Sequence, residues 1–92
     1  MGVRPRQRPE RLAEKLRAIR DALGVSQTQM VKRLDAEGAI VPGQISEFET
    51  GKREPSLIIL LQYARAANIS TDVLIDDELD LPAKLPARSK RS

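Results

Sequence analysis

The side chains that can do chemistry in this chain are hydrogen-bonding and charged groups, not nucleophiles or metal ligands. Cysteine and histidine are both absent. That removes disulfides, the common zinc-ligand sets and the usual Cys or His nucleophile and base pairs. The carboxylates occur singly or in the run Asp76-Asp77-Glu78-Leu79-Asp80, with no nucleophile beside them. An enzyme is therefore the least expected class, and neither a cofactor nor a metal is expected. The polar groups between residues 22 and 55 suit a nucleic acid better. A glutamine amide can bond an adenine edge in two places, and a carboxylate can accept from a cytosine amine. Lys52 and Arg53 carry charge suited to phosphate, against the alternative of a solvated loop.

Two short helices must position these groups. Ser26 suits an N-cap, Gln29 its reciprocal partner in a capping box, and Val25 and Met30 a hydrophobic staple. The helix that follows buries Met30, Val31 and Leu34. Its N-terminus would aim free N–H groups and partial positive charge outward, with Gln27 and Thr28 beside a phosphate. Pro42 suits the first position of a third helix, where a missing N–H costs nothing. Ile45 and Phe48 face inward and Gly51 ends that helix. A capped helix, a turn and a second short helix suit a helix-turn-helix, which lays one helix in the DNA major groove.

Around this pair the chain reads as helical. Leu12, Leu16, Ile19 and Leu23 form one stripe of a first helix over residues 10–23, and Gly24 suits a left-handed stop. Ser56 caps a fourth helix with Leu57, Leu60, Leu61 and Ala64 inward, ending at Asn68. Ser70 caps a short fifth helix carrying Val73, Leu74 and Ile75. Residues 1–9 read as a flexible arm, residues 10–78 as the domain and residues 79–92 as an extended tail.

Ninety-two residues allow one small all-α domain with a thin core. The net charge of +3 is unevenly spread: residues 1–20 sum to +5 and residues 21–50 to −3. Arg4, Arg6 and Arg8 make the arm basic, which suits either a phosphate backbone or solubility alone. The absence of a long apolar run and of cysteine points to the cytoplasm, with nucleoid association when DNA is bound.

The ordered set Arg20, Leu23-Gly24, Ser26-Gln27, Ile45-Ser46, Glu49, Gly51-Lys52-Arg53, Pro55-Ser56, Leu60-Leu61, Ala64 and Leu74 resembles the phage-repressor and Cro family of helix-turn-helix proteins, the xenobiotic-response-element family. The resemblance covers about residues 12–75 and implies a five-helix lambda-repressor-like domain. It implies that Arg20 pairs with Glu49, that Pro42, Gly43, Gln44 and Glu47 stand at base-reading positions, and that Ser46 and Thr50 can reach phosphate. Pro42 and Gly43 have no polar side chain, so direct readout looks sparse.

Two features depart from the family. Leu34 and Ile45 are eleven positions apart where about seven is usual, a surplus close to one helical turn. The expectation is therefore a second helix lengthened by a turn to Gly38, with Ala39-Ile40-Val41 as the connection. Val31 also stands where the family prefers a small residue.

Ile58 and Ile59 lie off the expected core face of the fourth helix, and Ile75, Leu79, Leu81 and Leu85 add apolar surface further on. These six residues are the expected dimer contact, the alternative being a tail that folds over Ile58 and Ile59 within one chain. The resulting reading is a transcription regulator, more specifically a repressor, binding double-stranded palindromic DNA as a homodimer. Two others stay open: an antitoxin of the same fold that also binds a protein partner through its tail, and an interaction adaptor that has lost DNA binding.

Overall fold

The computed structural model describes residues 8–86. Five helices follow one another: α1 (Leu12–Leu23), α2 (Gln27–Arg33), α3 (Pro42–Thr50), α4 (Leu57–Ala67) and α5 (Thr71–Ile75). The helix α1 packs against α3, α4 and α5, while α2 packs against α3. Leu16, Ile19, Met30, Leu34, Ile45, Tyr63 and Leu74 are fully buried where these helices meet.

The capping box of α2 is formed. Ser26 Oγ accepts from the Gln29 N–H at 3.0 Å, and the Ser26 N–H donates to Gln29 Oε1 at 2.8 Å. The helices α1 and α3 end on the left-handed glycines Gly24 and Gly51.

The expected extra turn of α2 is not there. The helix stops at Arg33, and Asp35 takes a left-handed conformation with φ 56°. The Ala36 N–H bonds the Val31 carbonyl at 3.0 Å and the Asp35 N–H bonds the Lys32 carbonyl at 2.9 Å. These are the two bonds of a Schellman stop, with Asp35 where glycine is usual. Ala36 turns into the core beside Val31 and is buried like it. The surplus residues thus make a compact turn in which Ala39 and Ile40 both donate to the Ala36 carbonyl and Gly38 is left-handed. An apolar side chain two residues beyond the helix end, together with an aspartate that tolerates positive φ, outweighs the helical phase inferred from spacing.

The buried face of α4 also differs from expectation. Ile59, Leu60, Tyr63, Ala64 and Ala67 face inward. Leu57 is 82% exposed and Ile58 67%, whereas Ile59 is 8% exposed and belongs to the core. Tyr63 and Ala67 complete an i, i+4, i+8 stripe with Ile59, which turns Leu57 outward.

Three further corrections concern the ends. The helix α1 begins at Leu12 instead of residue 10. Ser70 stands at the N-cap position of α5, but its hydroxyl makes no cap hydrogen bond. The chain after α5 is no extended tail as far as residue 86. It turns back along α1, where Leu81 and Leu85 are partly buried against the core and a groove separates residues 81–85 from Ala18 and Ala22. It covers this face of α1 and not Ile58.

Candidate nucleic-acid interface

The buried pair Arg20–Glu49 sets how α3 sits against the rest of the domain. Arg20 Nε and Nη2 donate to the two oxygens of Glu49 at 2.6 and 3.0 Å, and Arg20 Nη1 donates to the Val25 carbonyl at 3.0 Å. The side chain of Glu49 is 3% exposed and that of Arg20 14%. The hydrogen bond to Glu49 raises the Arg20 pKa further above its ordinary value. Gln27 Nε2 reaches the same Glu49 Oε1 at 3.4 Å. One carboxylate on the last turn of α3 thereby holds the end of α1 and the first residue of α2.

Fixed in this way, α3 turns Ile45 and Phe48 inward and leaves Gly43 exposed, with Pro42, Gln44, Ser46 and Glu47 partly exposed. Thr28 is exposed on the first turn of α2, and Lys52 and Arg53 are exposed in the loop after α3. The groups with nucleic-acid chemistry therefore come from three neighbouring pieces of chain.

Several of these groups already have protein partners, a feature that types and spacing did not disclose. Gln44 Oε1 accepts from the Val41 N–H at 3.1 Å, capping the start of α3. Its carbonyl oxygen is used and its amide NH2 remains a donor, so two-point pairing with adenine would cost the cap. The Thr50 hydroxyl donates back to the Ser46 carbonyl at 3.1 Å. Glu47 Oε1 accepts from Arg53 Nε at 2.7 Å. Of the basic arm, Arg8 lies 3.6 Å from a carboxylate oxygen of Glu54, just beyond Lys52 and Arg53. Arg4 and Arg6 lie outside the described residues.

A second polar cluster went unnoticed in the sequence because its members are far apart. Lys15 is 2% exposed and its ammonium donates to the carbonyls of Val73, Asp76 and Leu79 at 2.8, 3.0 and 2.8 Å. The Asp77 carboxylate accepts from the N–H groups of Glu10 and Arg11 at 2.9 and 3.0 Å. Those two bonds pull its pKa below the ordinary carboxylate range. Arg11 in turn donates to the Asp77 carbonyl and to Asp80 Oδ1 at 2.8 and 2.7 Å. A lysine inside an apolar stripe was the available signal, since a buried ammonium requires acceptors. Among the described residues, no cluster of side chains suits a metal ion, and no helix is long and apolar enough to cross a membrane.

A helix-turn-helix family model matches residues 16–74, more than half of the sequence. The chain belongs to the helix-turn-helix family. It is of the phage-repressor type, a group of DNA-binding transcription regulators. The structure of the P22 c2 repressor protein, determined in complex with a synthetic operator in the presence of Tl+, is similar at a TM-score of 0.62 and 27% identity. The match covers 72% of this chain and 94% of that one. No curated protein gives a significant match.

Proposed function

We propose that this protein is a transcriptional repressor that binds a palindromic operator as a homodimer, with α3 in the major groove of double-stranded DNA. The observation that carries the reading is the Arg20–Glu49–Gln27 network, because it holds α3 at a set angle to the start of α2. Gly43 allows close approach of the helix backbone to the bases, and the NH2 of Gln44, without a partner among the described residues, donates to a base-edge acceptor. Gln27, Thr28, Ser46, Thr50, Lys52 and Arg53 flank these readers and suit phosphate contacts that set register without specifying sequence. Arg8 lies beside the loop after α3, and Arg4 and Arg6, which precede it in the sequence, are further candidates for phosphate contact.

The partner copy is placed on Leu57 and Ile58. Both are exposed, and Ile58 stands with Ala39, Ile40 and Ile59 at the apolar part of a groove of about 460 Å³ whose other wall carries the polar Gln44, Arg53 and Glu54. Val41 adds exposed apolar surface at the start of α3. Ile59 belongs to the core, and Ile75 and Leu79 take part at most through their exposed edges. Half-sites would then lie about one helical turn apart.

Selection of bound sites from random DNA at stated salt tests the function. An enriched palindrome is the expected outcome. No enrichment sinks the repressor reading and favours an adaptor, whose docking surface would be the exposed Leu57 and Ile58. Sedimentation of a Leu57→Lys, Ile58→Glu double variant tests the assembly. A folded monomer is expected, and a variant that remains dimeric removes this surface from the interface.

A further inference from the structure

The surface proposed to meet DNA carries a carboxylate, Glu47, where negative charge is least welcome. Its geometry gives it a task other than reading a base. Glu47 Oε1 accepts from Arg53 Nε at 2.7 Å, and the Glu47 carbonyl accepts the N–H groups of Lys52 and Arg53 at 2.9 and 3.3 Å. The left-handed turn at Gly51, with φ 80°, folds the loop back over the end of α3 so that these bonds can form. Residues 47 and 53 are therefore tied through both backbone and side chain.

A guanidinium has five N–H donors in a rigid fork. The carboxylate uses the one at Nε, which points away from the fork's end. Among the described residues, the two Nη groups of Arg53 have no partner. Roughly half of each side chain is exposed, so the pair is reachable from solvent without being dissolved in it. We infer that Glu47 is a positioning residue: it holds the Arg53 guanidinium so that its two Nη groups face a DNA phosphate. This rests on the DNA-binding reading above.

The inference reverses a sign. A carboxylate with no such role repels phosphate, and its removal tightens binding. A carboxylate that orders an arginine weakens binding when removed, but only while the arginine is present.

A double-mutant cycle on the full chain separates these cases. Affinity for one selected site and for unrelated duplex is measured across a salt series for the parent, Glu47→Ala, Arg53→Ala and the double variant. Circular dichroism checks that each is folded. Glu47→Ala is expected to weaken binding roughly two- to fivefold on both DNAs, the range of exposed ion pairs. It should also move the salt slope toward that of Arg53→Ala, and the selected motif should stay the same. In the Arg53→Ala background the same substitution should leave binding unchanged or tighten it. Glu47→Gln, which keeps one acceptor oxygen, should recover part of the loss. Equal effects in both backgrounds overturn the inference, as does a change of motif at one base pair, which would make Glu47 a reader. A parent protein that binds no DNA overturns the function as well, whereas tightening by Glu47→Ala overturns the positioning role alone.

Discussion

The two ends of α1 are fastened in different ways. At its C-terminal end one arginine meets one carboxylate in the interior, and the Glu49 side chain is almost wholly shielded. At its N-terminal end the fastening is spread over Arg11, Lys15, Asp77 and Asp80, and apart from the buried Lys15 ammonium most of it is open to water. The first arrangement concentrates its energy in one contact and fixes an angle between helices. The second distributes its energy and secures a length of chain. A domain this small has little core to spare. It uses the concentrated device beside the proposed DNA surface, where geometry matters, and the distributed one where the C-terminal segment returns.

The largest effect should come from splitting the concentrated pair. Glu49→Ala strands the Arg20 charge at a largely buried site and is expected to cost about 3–5 kcal/mol in chemical denaturation. A loss below about 1 kcal/mol would place Glu49 with exposed pairs and erase the contrast. Next comes Lys15→Met, which keeps the apolar stem but leaves three carbonyls without their donor. A loss of about 1–3 kcal/mol is expected, together with faster proteolysis after residue 76 and little change in DNA affinity.

A smaller effect with a distinct pH signature is expected at Asp77. Its folded pKa lies below its unfolded one, so its contribution is complete above the unfolded value and is lost as pH falls through the folded value. Asp77→Asn should therefore flatten the acid side of the stability curve and leave its dependence above neutrality unchanged. An unaltered acid limb would detach Asp77 from the fastening. The smallest effect is expected at the end of α2. Asp35→Gly relieves a left-handed aspartate and should raise stability by about 0.5–1 kcal/mol. Destabilisation there would show that the aspartate side chain contributes more than its left-handed backbone costs.

The contrast between the two ends also explains what the sequence disclosed. Caps are local, so Ser26 with Gln29, Pro42, Gly51 and Ser56 mark helix ends within a few residues and were legible. The joining of Arg20 to Glu49, twenty-nine residues apart, was reached only through resemblance to a family. Lys15 with Val73 and Asp77 with Glu10 span about sixty residues and belong to no such pattern, so the run around Asp77 read as solvated charge. The path of residues 35–41 was misjudged because spacing fixes how many residues must be accommodated, not whether they coil or turn. The phase of α4 was misjudged because Tyr63 was left out of the apolar count. At the candidate interface the residue types were visible. That Gln44 caps its own helix and Glu47 holds Arg53 depends on side-chain direction, which types and spacing do not encode.

DNA is expected to meet the side of the domain fastened by Glu49 and not the side fastened by Asp77. Salt-dependent binding to duplex DNA tests it with four single variants: Lys52→Ala and Arg53→Ala on the first side, and Arg17→Ala and Lys84→Ala along α1 and the returning segment. The slope of log affinity against log salt should become shallower by about one for each of the first two. It should stay at the parent value for the other two. Equal changes in all four, or a change confined to Arg17 and Lys84, would place the DNA surface elsewhere.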